Sequence, residues 1–280
     1  MRVSVTGASG KAGRATTLDL LENGHEVVAI DVVAAPDLGF PVLLADVCDY
    51  GQTMEALQGT EAVVHLANIP APGLHTPALT FERNTAMNSH VFLAAAQLGL
   101  ARVVWASSET TLGIPFGHPP TGKPPRYAPV DEDHYPVPTS TYALSKVVAE
   151  TLTTHISGWS GIPFIGLRFS NIHTPSEYSR FPGYWTDPRL RQWNMWGYID
   201  VRDAALACRL ALEAPIEGAD TFIIAAADTV MNRPSNELMD QVFPHVELTR
   251  QVSGYESLLS IDRARRSLGF APNHSWREHL

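Results

Sequence analysis

Cysteine is scarce in this 280-residue chain, where Cys48 and Cys208 are the two thiols. Two cysteines build neither a disulfide framework nor a cysteine-rich metal site, and the composition fits a reducing, cytoplasmic compartment. Positive charge is in deficit, with 20 Lys and Arg against 29 Asp and Glu and a formal net charge of −9. Neither nucleic acid nor an anionic membrane surface is therefore an expected partner. Long apolar runs are missing too, none approaching the roughly 20 residues of a membrane-spanning helix. No basic and apolar leader precedes Arg2 to Thr6, which already reads as a strand, so no cleaved segment is expected. His75, His118, His134 and His173 lack metal-ligand spacing and have no neighbouring cysteine, and no metal is expected. What remains is a chain with 45% hydrophobic residues, long enough to bury a sizeable core around a small-molecule site.

Short β-branched runs alternate with helical stretches through the first 170 residues. The runs are Val3 to Thr6, Glu26 to Asp31, Leu43 to Asp46, Ala62 to Leu66, Arg102 to Ser107 and Pro163 to Phe169. Between them lie helical stretches over Gly13 to Asn23, Met54 to Leu57, Arg83 to Gln97 and Tyr142 to Ile156. Such βα alternation predicts an α/β fold with a Rossmann-type doubly wound parallel sheet. A proline-rich stretch from Gly113 to Pro138 reads as a loop leaving the sheet. From Thr174 to Trp196, Tyr178, Phe181, Tyr184, Trp185, Trp193 and Trp196 lie among Arg180, Arg189 and Arg191; this run suits either a core or a sugar-stacking lid. Helices over Val201 to Glu213, N-capped by Asp200 or Asp203, over Ser235 to Phe243 and over Ser260 to Leu268, with a strand over Thr221 to Ala225, complete the chain. The expected division is a dinucleotide-binding part over residues 1–170 and a smaller substrate-binding part over 171–280, interleaved with the sheet.

The first strand runs into Gly7-Ala-Ser9-Gly10-Lys11-Ala12-Gly13 and then a helix, the arrangement that a pyrophosphate needs. Glycines permit positive φ and close backbone approach, and the helix amides favour the anion. Asp31 ends the second strand, 18 residues past Gly13. A carboxylate there accepts from both ribose hydroxyls and repels a 2′-phosphate, which favours NAD over NADP. Lys11 and Arg14 beside the loop keep NADP as the alternative. Asp46, with Val47 behind it, is placed either to meet the adenine edge or to cap its own loop.

Tyr142-Ala-Leu-Ser-Lys146 opens a helix, and a spacing of four puts phenol and ammonium on one face. A phenol is a poor base at neutral pH, and a nearby ammonium stabilises the phenolate, so Tyr142 can exchange a proton with a substrate alcohol while hydride moves. Lys146 can also hold a ribose. Ser107-Ser108, at the C-terminal end of the fifth strand, supplies a donor to the reacting oxygen where open α/β sheets bind ligands. His65 ends a buried strand and reads as a core histidine rather than a catalyst.

With these residues in place, the chain resembles the extended short-chain dehydrogenase/reductase, or NAD-dependent epimerase/dehydratase, family over almost its whole length. The likeness rests on Thr6 to Gly13, Asp31, Asp46-Val47, His65-Leu-Ala-Asn68, Asn84, Ser107-Ser108, Tyr142 to Lys146, Leu167 to Asn171, Tyr198 to Asp203 and Ser267 to Pro272. It implies NAD as cofactor, a Ser108, Tyr142 and Lys146 catalytic set, Leu66, Ala67 and Asn84 beside the cofactor, and Ser108, Glu109, Thr110 and Asn171 facing the substrate. It also implies a homodimer formed by the helices over Arg83 to Gln97 and Tyr142 to Ile156, whose wide apolar faces are explained in part by burial against the protein's own sheet. Where the family often has Val-Tyr-Gly after the serines, this chain has Glu109-Thr-Thr-Leu-Gly113. About 110 residues follow the sixth strand, which is similar to short members that oxidise free sugars, such as uronate dehydrogenases; in those an arginine at the place of Arg180 holds the sugar carboxylate. Glu109 beside the serine opposes a carboxylate substrate, unless it only meets sugar hydroxyls. The implied reaction is hydride transfer between nicotinamide and a secondary alcohol or lactol carbon of a small sugar-like molecule, uronates among the candidates. The alternatives are a nucleotide-sugar epimerase or dehydratase that recycles NAD and, from another class, a non-catalytic dinucleotide sensor.

Overall fold

A computed structural model describes residues 1–113, 124–134 and 136–279. Residues 114–123, 135 and 280, which include His118 and much of the expected proline-rich loop, lie outside the described residues.

The first half is built from β1 (Arg2–Thr6), α1 (Lys11–Glu22), β2 (Glu26–Asp31), β3 (Val42–Leu44), α2 (Tyr50–Leu57), β4 (Ala62–His65), α3 (Pro77–Leu98) and β5 (Arg102–Ser108). After it come β6 (Tyr127–Ala128), α4 (Thr141–Ser160), β7 (Phe164–Phe169), β8 (Ile172–His173), β9 (Ile199–Asp200), α5 (Val201–Glu213), β10 (Ala219–Ile224), α6 (Ser235–Val242), β11 (Glu247–Leu248) and α7 (Asp262–Leu268). Two 3₁₀ segments, Pro175–Tyr184 and Pro188–Asn194, link β8 to β9.

Seven parallel strands form the main sheet in the order β3-β2-β1-β4-β5-β7-β10, so the order reverses direction between β1 and β4. Strand β10, from the C-terminal part of the chain, closes one edge. Central strands are apolar on both faces, as parallel sheets require. Val64 and Val104 pack into the core beneath α1 and α5, while their neighbours Val63, Val103 and Trp105 pack into the core beneath α2, α3 and α4. One strand thus supplies both layers through its period of two.

Helix α3 starts six residues before the expected Arg83, because Pro77 sits in its first turn, where a missing N–H costs nothing. Helix α5 keeps its expected bounds, and Asp200 rather than Asp203 is the cap, accepting from the Arg202 amide. The Asp203 carboxylate instead accepts from the amides of Asn273 and His274, tying the C-terminus to α5. Among the described residues no helix is long and apolar enough to cross a membrane, and no group of His, Cys, Asp and Glu could hold a metal.

Candidate active site

A cavity of about 700 Å³ opens at the C-terminal edge of the sheet, where the strand order reverses. Open α/β sheets bind ligands at such a point because the loops on either side diverge. One end is lined by Gly7, Gly10, Lys11, Ala12, Gly13, Asp31, Asp46, Val47, Leu66 and Ala67, and the other by Ser108, Glu109, Thr110, Tyr142, Lys146 and Asn171. The tertiary fold thus brings together most of the site residues expected from sequence.

The glycine loop owes its composition first to packing. Gly7 has φ +73°, and a Cβ on it would stand 2.7 Å from the Ala67 amide nitrogen. A Cβ on Gly13 would collide with the Gly7 carbonyl oxygen. Helix α1 begins at Lys11, two residues before expectation, with Gly10 as N-cap and no side-chain cap. Its first-turn backbone therefore faces the cavity with uncapped donors, which suits an anionic pyrophosphate. Asp31 accepts from the Ser9 amide at 3.0 Å through Oδ2 and from the Val33 amide at 3.1 Å through Oδ1. Each oxygen retains acceptor capacity for a ribose hydroxyl. Ser9 itself does not line the cavity; its hydroxyl donates to the Val33 carbonyl at 2.6 Å and braces the Asp31 turn. Asp46 lines the cavity and also caps its own turn, accepting from the Cys48 amide at 2.9 Å. The residues present fit a dinucleotide.

Lys11 and Arg14 are both engaged. Lys11 Nζ donates to the Ile172 carbonyl at 3.1 Å and pairs with Glu177 at 2.6 Å, bridging the loop to the segment after β8. Arg14 donates to the Ser9 carbonyl at 2.8 Å and pairs with Asp37 at 2.6 Å.

At the other end, Ser108 Oγ accepts from the Thr110 amide at 3.2 Å and from the Thr110 hydroxyl at 3.0 Å. Both lone pairs are then filled, and the serine proton is left to be donated. Tyr142 and Lys146 lie on one face of α4, with Nζ 5.7 Å from the centre of the phenol ring. Lys146 donates to Asn68 Oδ1 at 3.0 Å and to the Ala106 carbonyl at 2.7 Å, which leaves its third N–H for the cavity side. Burial pushes Lys146 down to about 7, opposed by the charge of Glu150, and pushes Tyr142 up to about 12, opposed by the hydrogen bond with Ser108. Burial also raises Glu109 to about 7.

Two supporting networks went unseen in the sequence. Glu150, one turn beyond Lys146, accepts from Ser107 Oγ at 2.7 Å and takes a two-pronged bond from Arg168 at 2.9 Å on each oxygen. Asn68 passes from Lys146 to Asn88 Oδ1 at 2.9 Å, and Asn88 Oδ1 in turn accepts from His65 Nε2 at 3.0 Å. His65 is buried and pushed down to about 3 by desolvation, a neutral core histidine whose Nδ1 meets the Thr6 hydroxyl at 2.7 Å. Position alone hinted at both networks: Asn68 follows a sheet strand directly, and Glu150 shares the helical face of Lys146.

Other expected residues lie elsewhere. Asn84 is buried behind the wall, donating to the Ile69 carbonyl at 3.1 Å and accepting from the Ile69 amide at 2.8 Å, so it shapes the loop that lines the cavity. Arg180, expected opposite a sugar carboxylate, does not line the cavity; its side chain is 66% exposed and reaches Glu177 at 3.5 Å. The 3₁₀ segment that carries it starts with a capping box between Thr174 and Glu177. Its inward residues are Tyr178 and Phe181, so the arginine is turned to solvent. Tyr178, Phe181 and Trp196 belong to the core, and of the aromatic run Trp193 alone lines the cavity.

A parallel sheet of this order, with a dinucleotide cradle at its reversal point, is the architecture of the short-chain nucleotide-dependent enzymes. The chain belongs to the NAD dependent epimerase/dehydratase family, whose sequence profile matches residues 3–225, and it is an NAD-dependent enzyme of the extended short-chain dehydrogenase/reductase type. It is 28% identical to the NAD-dependent glucose-6-phosphate dehydrogenase of Haloferax volcanii over 203 residues, 67% of this chain and 76% of the relative. It is 30% identical to the L-arabinose 1-dehydrogenase (NAD(P)(+)) of the same organism over 180 residues, 63% of this chain and 69% of the relative. In fold it is similar to the UDP-glucose 4-epimerase of Thermotoga maritima, solved with UDP-glucose, with a TM-score of 0.75 and 19% identity over 99% of this chain and 96% of the other.

Proposed function

We propose that the protein is an NAD-dependent oxidoreductase that moves a hydride between nicotinamide and a secondary alcohol or lactol carbon of a small sugar-like substrate. The observation that carries this reading is the meeting of Ser108, Tyr142 and Lys146 at one end of a cavity whose other end is the glycine loop and Asp31. NAD, when bound, supplies the hydride acceptor. The chain's own residues handle the proton and the geometry. Ser108 donates to the substrate oxygen, which orients it and polarises its bond to carbon. Tyr142 takes the hydroxyl proton as the alcohol is oxidised, or returns it in reduction. That transfer needs a phenol far more acidic than burial alone leaves it, and the Lys146 ammonium provides the opposite charge. Asn68 and the Ala106 carbonyl hold Lys146 in place. Residues 1–170 serve mainly the cofactor and 171–280 mainly the substrate. The protein works in the cytoplasm as a homodimer joined through α3 and α4, where Leu93 and Leu144 are exposed and Trp159 is 68% exposed.

The test is NADH absorbance on mixing protein and NAD with free aldoses, uronates, polyols and simple secondary alcohols, with Tyr142→Phe as control. Turnover is expected with a sugar-like substrate and should fall by roughly 10²- to 10⁴-fold in the variant. Near-wild-type turnover in Tyr142→Phe refutes the assigned role. Silence across the panel with intact NAD binding would favour the second reading, a nucleotide-sugar enzyme that recycles NAD, which the full-length fold likeness to an epimerase supports.

A further inference from the structure

Glu109 follows Ser108 at the end of β5 and is a carboxylate set into the cavity wall, 5% exposed yet in contact with the open space. The surrounding chain is built to hold it. Its Oε2 accepts from Ser170 Oγ at 2.6 Å, its Oε1 accepts from Asn194 Nδ2 at 3.2 Å, and the Asn171 amide adds a backbone hydrogen bond. Ser170 reaches it because position 197 is glycine: a Cβ there would stand 2.9 Å from Ser170 Oγ. Asn194 is anchored by a second bond to the Gly197 carbonyl at 2.8 Å. The next two residues, Met195 and Trp196, adopt φ +53° and +57°, which non-glycine residues rarely do. Two successive residues in that region mark a turn held against strain, as at functional sites. A carboxylate offers about four lone-pair positions. Protein donors fill three, and one is left for the cavity.

The cation that acts on Glu109 is Arg191, which is buried and stacks on the rings of Tyr184 at 5.1 Å and Trp193 at 4.8 Å. Arg191 does not line the cavity, whereas Trp193 does. A substrate lying against Ser108 and Tyr142 therefore meets an acidic acceptor and no arginine from this segment.

We propose that Glu109 determines specificity at this site: it accepts a hydrogen bond from a substrate hydroxyl and excludes molecules that bring a carboxylate or phosphate against this wall, so the enzyme prefers neutral aldoses to the matching uronates. This rests on the dehydrogenase reading above and narrows its substrate class. Two like charges about 6 Å apart at an effective dielectric of about 20 repel enough to weaken binding on the order of a hundredfold. Burial holds Glu109 at about 7; Arg191 is the cation acting on it, Tyr142 faces it, and Lys146 of the same cavity is itself pushed down to about 7 and titrates over the same range. A uronate carboxylate stays ionised there, so the discrimination should be full above pH 7 and fade below it.

The experiment compares glucose with glucuronate and galactose with galacturonate, in wild type and Glu109→Gln, from pH 6 to 9. One readout is kcat/KM for NADH formation, and the other is calorimetric binding of the same sugars to the enzyme–NADH complex. Wild type should favour the aldose about a hundredfold at high pH and lose at least tenfold of that preference toward pH 6. Glu109→Gln should narrow the high-pH ratio at least tenfold and flatten its pH dependence. Binding without oxidation of any pair would count against the dehydrogenase reading alone. Equal binding of both members or a uronate preference in wild type would overturn the assignment of Glu109, whereas undetectable binding of both would count against the sugar-dehydrogenase reading; because Lys146 titrates over the same range, the pH series is read as the difference between wild type and Glu109→Gln, with Glu109→Ala as the second variant.

Discussion

The choice between NAD and NADP offers a quantitative test that needs no knowledge of the substrate. Asp31 faces the cavity with each oxygen bonded to one backbone amide and each retaining an open lone pair. A 2′-phosphate carrying about −1.5 charges, roughly 5 Å from that carboxylate at an effective dielectric of about 40, is repelled by about 2.5 kcal/mol. Bonds from the ribose hydroxyls to a charged acceptor are stronger than to an amide, which adds about 1.5 kcal/mol in favour of NAD. Asp31→Asn should therefore shift the ratio of NADH to NADPH affinities by about 4 kcal/mol, on the order of a thousandfold. Lys11 and Arg14 offset little of this, since Glu177 and Asp37 already hold them at 2.6 Å. The assay is equilibrium titration of both reduced cofactors by fluorescence, repeated at high salt, where the wild-type discrimination should shrink. Thermal melts separate a damaged loop, which weakens both cofactors, from a changed preference. NADPH binding to wild type within about threefold of NADH, or an unchanged ratio in Asp31→Asn, would refute the reasoning.

Further outcomes follow from the buried polar groups and the exposed helix face. Arg168→Ala strands the Glu150 carboxylate, a largely buried group, and should cost about 3–5 kcal/mol in denaturant unfolding; a loss below about 1 kcal/mol would mean that water replaces the arginine. His65 is held at about 3 against an ordinary 6.5, so the unfolded chain binds the extra proton between those values and stability falls as pH falls through that window. His65→Asn should flatten the stability profile between pH 6 and 4 by up to about 1.4 kcal/mol per pH unit relative to wild type; parallel profiles would show that His65 is not neutral in the folded protein. Leu93→Glu places a charge on the exposed α3 face and should convert a dimer into a 30.5 kDa monomer by light scattering, whereas a monomeric wild type would remove the proposed interface.

Much of the fold was legible because its signals are local. Strand β2 and helix α5 have the bounds read from the sequence, since alternation, a terminal carboxylate and an N-cap all act within a few residues. The positions of Asp31, Ser108, Tyr142 and Lys146 are legible for the same reason: each sits at a strand end or helix start that the pattern sets. Helix α3 begins six residues before Arg83, because the proline in its first turn marks a start rather than a stop. Arg180 and Arg191 could not be told apart, because a run of aromatics and arginines does not reveal which side chains a 3₁₀ segment turns inward. The partners of Glu109 and Lys146 were hidden as well: Asn194 lies 85 residues from Glu109, and Asn68 lies 78 residues from Lys146.

By itself, then, the sequence determined the class of sheet and placed the glycine loop and the Tyr142 and Lys146 pair, because backbone geometry and side-chain periodicity are properties of neighbouring residues. Tertiary structure alone decided which polar groups meet across the cavity, that the arginine facing solvent is Arg180 and the buried one Arg191, and that Glu109 is desolvated beside Ser108. Those outcomes depend on burial and on hydrogen bonds between distant segments, and both exist only once the loops have been packed against the sheet edge.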